Sequence, residues 1–338
     1  MLRNPTWHGL RPGLPRLDPA PAWLADAVSR VTGHPGTVSL ARFDAADVRY
    51  ARLDRRDGRG ALFLKILPRS RQAHQERAED LARWLEASGQ PVNACLEGYP
   101  RPFDADHLLF AYPWRDGRRL RSEESDLATL GTRLASLHAA LARYPARAAL
   151  AAATESRFAE LHRVRAELAS GRSVGAKGSR LQSLAREPSL DFEPSGRHDA
   201  TPLHDDLNPG NLLMSPEGEP IFMDFEDALH GVLPVVFDLG LVIERLVLAA
   251  EPDDARAVDL GRAFLSAYRS GGGEIRVVEP GELALCLRAR ALRALCTLSL
   301  CQWRGIEVVE QEWEKFFFFE ELARRRAAAL GRLWQAAP

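Results

Sequence analysis

The sequence predicts an α+β fold in two parts, an N-terminal antiparallel sheet lobe followed by a mainly helical C-terminal lobe. Three observations carry this expectation. Apolar residues alternate and cluster at strand spacing from Val38 to Leu67, around the turn signal Arg56-Asp57-Gly58. A second short apolar run, His107 to Tyr112, stops at Pro113. From Leu127 onward helical spacing takes over, with Leu130, Leu134, Leu137 and Leu141 on one stripe.

Composition bounds the rest. A chain of 338 residues with 46% apolar and 27% charged residues and a net charge of −1 reads as a soluble globular protein of more than one unit. Near-neutral charge leaves no footprint for nucleic acid. No stretch is apolar and long enough for a bilayer, and the four cysteines form no C-x-x-C pair, so a reducing cytoplasm is the expected compartment.

Read in order, residues 1–30 form a proline-broken lead and a short helix from Ala22 to Val31. Residues 31–112 form the sheet lobe. Its strand Ala61 to Leu67 encloses Lys65, one of only three lysines in a chain whose other cations are arginine. An unpaired ammonium there would be costly. The helix Gln72 to Ser88 follows, with Leu81, Trp84 and Leu85 on one face, and carries Glu76 and Glu79, either of which could pair with Lys65. Residues 113–338 form the helical lobe, with helices through Ala151 to Ala185, an irregular stretch from Pro188 to Ala200, a short strand from Pro220 to Phe225, and helix from Val235 to Trp334.

The chemistry concentrates in two segments. Leu203-His204-Asp205-Asp206-Leu207-Asn208-Pro209-Gly210-Asn211 has the spacing H-x-D-x-x-x-x-N, and Phe222-Met223-Asp224-Phe225-Glu226 follows closely. Phosphoryl transfer needs a carboxylate to orient the attacking hydroxyl and hard oxygen ligands for Mg²⁺. Asp206 fits the first need; Asn211 and Asp224 fit the second.

These residues resemble the aminoglycoside phosphotransferase and choline kinase superfamily, which has a protein-kinase-like two-lobe fold, over roughly Val38 to Val247. The resemblance implies that Asp206 is the catalytic aspartate, that Asn211 and Asp224 bind Mg²⁺, and that Asp238, in Phe237-Asp238-Leu239, braces the loop, with His204 as structural support. It makes Lys65 the strand lysine that contacts the phosphates of ATP, held by Glu76 with Glu79 as rival, and Phe110, Ala111 and Tyr112 the hinge whose backbone reads adenine.

Two departures stand out. Asp205 replaces the family's usual glycine, and Val38 to Asp57 holds no glycine for a G-x-G-x-x-G phosphate cover. No long activation segment fits between Asp224 and Asp238 and no Ala-Pro-Glu follows Asp224, which favours a small-molecule hydroxyl acceptor over a peptide. Trp303, Trp313, Phe316 to Phe319 and the glutamates from Glu307 to Glu321 suggest a cationic acceptor. A non-catalytic nucleotide-binding regulatory protein on the same fold is the alternative.

Overall fold

The computed structural model describes residues 17–41, 48–175, 177–190, 200–275 and 281–335. The proline-rich start, the centre of the glycine-free cover and most of the irregular stretch before the loop therefore lie outside the described residues. The described residues divide into two compact units, one of 17–119 together with 210–226, the other of 120–209 and 227 onward.

The first unit opens with β1 (Leu17–Pro19), α1 (Ala22–Thr32), β2 (Gly36–Ala41), β3 (Arg49–Arg55), β4 (Ala61–Pro68), α2 (Gln72–Ala87), β5 (Arg101–Pro102), β6 (His107–Pro113) and β7 (Arg118–Arg119). Six strands form an antiparallel sheet in the order β1-β2-β3-β4-β6-β5. Side chains alternate faces along each strand. Leu62, Leu64 and Ile66 of β4 pack with Leu53, Leu109, Ala111 and, from α1, Leu24 and Val28. The opposite face carries Phe63, Leu67, Leu108, Phe110 and Tyr112. At about 1.5–3 kcal/mol for each fully buried large aliphatic side chain, the first set fixes the register of the sheet.

Sheet register does the positional work. Tyr50, Lys65 and Phe110 lie abreast on β3, β4 and β6, so Lys65 emerges from the middle of three strands rather than from an edge. A one-residue slip would turn it into the aliphatic core.

The strand β9 (Leu212–Met214) and β10 (Pro220–Phe222) return to this unit after the helices have begun. Arg119 of β7 pairs with Leu213, the Phe222 N–H donates to the Pro91 carbonyl at 2.8 Å, and the Asn93 N–H donates to the Phe222 carbonyl at 3.1 Å. A Cβ on Gly117 would lie 2.5 Å from the Met214 carbonyl oxygen, so only glycine lets the connector approach β9 this closely. For these reasons the sheet unit extends past Tyr112 to Arg119 and includes 210–226, which the sequence places in the helical lobe. Leu17–Pro19, inside the expected lead, is likewise an edge strand of the sheet.

The second unit contains α3 (Glu124–Leu141), α4 (Arg147–Ala169), α5 (Gly178–Arg186), β8 (Ala200–Pro202), β11 (Val232–Pro234), α6 (Val236–Val242) with a π-helical continuation (Ile243–Leu248), α7 (Asp254–Ser270), α8 (Glu282–Trp303), α9 (Glu310–Arg325) and α10 (Ala327–Gln335). The leucine stripe of α3 is fully buried. Gly131 lets α3 and α7 touch, since a Cβ there would stand 2.5 Å from the Phe264 carbonyl oxygen. Among the described residues no helix is long and apolar enough to cross a membrane.

Candidate active site

Lys65 has a side chain only 5% exposed and meets two carboxylates from the β10 end of its unit. Its Nζ donates to Glu226 and stands 3.7 Å from Asp224 Oδ1. Burial alone would lower the lysine pKa; Asp224 and Glu226 outweigh it and hold the ammonium well above its ordinary value. Arg71 adds a second cation, donating to Glu226 Oε2 at 2.8 Å. Burial would raise the Glu226 carboxyl, but Lys65 and Arg71 bring it below the usual range.

Neither helix glutamate is the partner of Lys65, which corrects the assignment to Glu76. That residue accepts from Gln72, one turn earlier on α2. Glu79 is buried and uses its oxygens on the Tyr112 hydroxyl at 2.6 Å, the Gln75 amide at 2.7 Å and the Cys95 N–H at 3.0 Å. Burial raises its carboxyl, with those donors acting against the shift. Lys65 is instead satisfied from Glu226, a residue 161 positions away.

Phe110 and Ala111 are wholly buried and Tyr112 nearly so. Their strand runs in register with Lys65, Leu64 and Phe63, and the Ala111 carbonyl accepts from the Leu96 N–H at 2.8 Å. On the Lys65 side of the sheet, Tyr50 stacks on Phe63 and Phe63 leans on Tyr112, each pair 5.8 Å between centroids.

The H-x-D loop is built in the second unit. Asp238, completely buried on α6, accepts from the backbone N–H of His204 and of Asp205, both at 2.9 Å. His138 of α3 faces the same carboxylate at 3.0 Å and is held from behind by the Tyr268 hydroxyl at 2.8 Å. Burial would raise the Asp238 carboxyl, but His138 and the loop amides lower it. A buried charge with this many donors fixes the loop through its backbone.

Asp205 sits at φ 56°, the left-handed region that ordinarily selects glycine. Its side chain offsets that cost. Arg293 of α8 donates to both carboxylate oxygens, at 3.1 and 3.2 Å, and Arg290 donates to the Asp205 carbonyl. The negative charge that departs from the family pattern is thus neutralised within its own unit. Asp206 is half-buried, and the Asn208 side-chain amide donates to its Oδ2 at 2.8 Å. Asp224 is the other non-glycine residue at positive φ, 62°.

Asn211 and Asp224 flank the open end of the β9–β10 hairpin, where the Met223 N–H donates to the Asn211 carbonyl at 3.0 Å. One amide and one carboxylate beside a lysine suit a Mg²⁺ ion that takes its remaining ligands from phosphate and water.

The model of the phosphotransferase enzyme family matches residues 39–273, well over half of the chain. The chain belongs to that family. Solved phosphotransferases share its fold at low identity. Spectinomycin phosphotransferase, solved with ADP and spectinomycin, is 14% identical with a TM-score of 0.56 over 91% of this chain and 98% of its own. Choline kinase from Streptococcus pneumoniae is 15% identical with a TM-score of 0.54, covering 86% and 93%. An ADP-bound aminoglycoside phosphotransferase is 12% identical with a TM-score of 0.53, covering 92% and 99%. No curated protein matches by sequence. The chain is therefore a member of the aminoglycoside phosphotransferase and choline kinase superfamily with the protein-kinase-like fold, and the family is one of small-molecule phosphotransferases.

Sequence reasoning misses a set of charged residues that this phosphotransferase buries near its loop. Glu244 and Arg245 pair at 3.0 Å on the π-helical turn, their side chains 3% and 6% exposed. Burial pushes the Glu244 carboxyl up to about 7, against the opposing pull of Arg245 and Arg290, and lowers Arg245 to about 10. The signal was present in Leu241-Val242-Ile243-Glu244-Arg245-Leu246-Val247-Leu248, where two adjacent charges interrupt an apolar run that has no other polar residue. Single-turn π-helix insertions recur at functional sites.

Proposed function

We propose that the protein transfers the γ-phosphoryl group of ATP, with Mg²⁺, to a hydroxyl of a small molecule. The observation that carries this reading is the placement of a buried strand lysine against Asp224 and Glu226 of the metal-binding segment. A lysine held charged in a water-poor site is a ready counter-ion for nucleotide phosphates. Mg²⁺, held by Asn211 and Asp224 when bound, would neutralise phosphate charge. We assign the base to the aromatic face of Tyr50 and Phe63, beside the strand Phe110 to Tyr112.

In the second unit Asp206 orients the acceptor hydroxyl and takes its proton. The hydroxyl oxygen forms a bond to the γ-phosphorus as the bond from that phosphorus to the β–γ bridging oxygen breaks, and ADP leaves with the electron pair. Asn208 fixes the Asp206 carboxylate by its amide, and Asp238 and His138 fix the backbone that carries it. Catalysis is then mostly positioning and charge stabilisation.

Four of the six carboxylates that suggested a cationic acceptor pair with cations of the protein itself. Lys177 pairs with Glu310, Lys315 with Glu312 at 2.8 Å, Arg288 with Glu320 at 2.8 Å, and Arg324 with Glu321 at 2.7 Å. The α9 rings do cover cations, but they are the protein's own: Arg245 lies 3.3 Å above Phe319 and Arg180 4.2 Å above Phe317. Steady-state ADP release with Mg²⁺ and an acceptor panel tests the reading; its absence with every acceptor, together with no Mg²⁺-dependent binding of ATP, would leave the alternative of a regulatory nucleotide-binding protein.

A further inference from the structure

The second unit places two buried arginines, Arg245 and Arg293, and the half-buried Arg290 around the Asp205-Asp206 loop, and their pairing is uneven. Arg293 is matched by the Asp205 carboxylate at 3.1 Å, and Arg245 by Glu244 at 3.0 Å. Arg290, on α8 one turn from Arg293, gives a hydrogen bond only to the neutral carbonyl of Asp205, through Nη2. Its Nε stands 3.6 Å from Asp205 Oδ1 and makes no hydrogen bond among the described residues. Asp206, Glu244 and Asp227 act on it at longer range, and together with Asp205 outweigh burial to keep it charged. Nε itself is buried, and the side chain as a whole remains 11% exposed, so solvent reaches the group beyond Nε. Glu244 Oε1 is also buried with no hydrogen-bond partner among the described residues.

A guanidinium with an unspent edge, anchored on the residue next to Asp206, is a receptor for a planar or tetrahedral anion. We propose that the acceptor is a small hydroxyl compound bearing a carboxylate or phosphate group, and that Arg290 receives that group beside Asp206. The proposal rests on the phosphotransferase reading for the identity of its ligand as an acceptor, but the anion site is measurable by itself.

The test uses the full chain in a phosphate-free buffer and five probes: glycerate, glycerol 3-phosphate, glycerol, choline and kanamycin. Binding is followed by ligand-observed NMR without nucleotide, and ADP release is followed separately with ATP and Mg²⁺. One of the two anions binds at least tenfold more tightly than glycerol or choline, and which one does so distinguishes the carboxylate from the phosphate. Arg290→Gln removes that preference, Arg290→Lys retains it within about threefold, and Arg324→Gln, an exposed arginine on α9, leaves it unchanged. Tighter binding of choline or kanamycin than of either anion overturns the proposal, as does equal anion binding by a folded Arg290→Gln protein or no anion binding by the wild type. If Arg290→Gln does not fold, the ranking of the five probes by the wild type decides. Arg290-dependent anion binding with no ADP release would count against the phosphotransferase reading and leave the anion site standing; ADP release with cationic acceptors alone would do the reverse.

Discussion

Lys65 can stay charged inside a strand because two carboxylates reach it from residues far along the chain, and one of them is the better lever. Removing one partner of a buried pair leaves an uncompensated charge, so Glu226→Gln should lower unfolding free energy by about 3 kcal/mol in a denaturant titration. Glu76→Gln should change it by less than about 0.5 kcal/mol, since Glu76 bonds only to Gln72 on its own helix. The identity of Lys65 as a special lysine was legible from its apolar neighbours and from the scarcity of lysine in the chain. Its partner was not, because the sequence pointed to Glu76 and Glu79 on the next helix, whereas the fold brings in Glu226 from 161 positions away. For Asp206 the proposed role gives the test: Asp206→Asn should reduce kcat by about 10²- to 10⁴-fold while ATP affinity stays within a few-fold, read by steady-state kinetics and calorimetry.

Individual elements were legible where local pattern determines them and obscure where distant segments decide. The helix from Gln72 and the strand at His107 to Tyr112 follow from periodicity and appear within a residue of the expected bounds, and the leucine stripe lies on α3, which begins three residues before Leu127. The two-residue strand β7, its pairing with β9 and the return of 210–226 to the sheet unit follow from backbone contacts that no periodicity encodes. Asp205 illustrates the same point. Its departure from glycine looked like an added charge beside the site, and only α8, folded against the loop, supplies the arginines that neutralise it. The α3–α7 contact gives a test at this scale: a Cβ at position 131 would press on backbone atoms of α7, so Gly131→Ala should cost about 1–3 kcal/mol, measured by thermal and denaturant unfolding.

Across the whole molecule, ionisation links stability to pH through Glu244. Its carboxyl stands at about 7 in the folded protein against 4.5 when solvated, because burial disfavours the charged form. The stability it contributes is fully present below pH 4.5 and is lost as pH rises to about 7. Glu244→Gln abolishes that dependence, so the wild-type unfolding free energy minus that of the variant should fall by up to about 1.4 kcal/mol per pH unit across this window. Unfolding titrations from pH 4 to 8 measure the slope, and parallel curves for the two proteins would show that Glu244 does not titrate there. The central claim, that this phosphotransferase-family chain is an active Mg²⁺-dependent kinase, is tested most directly by calorimetric titration of ATP with and without Mg²⁺ into the wild type and Asp224→Asn. The account predicts binding that strengthens with Mg²⁺ in the wild type and loses that dependence in the variant. Equal ATP affinity with and without Mg²⁺ in the wild type, or an unchanged response in Asp224→Asn, would contradict it.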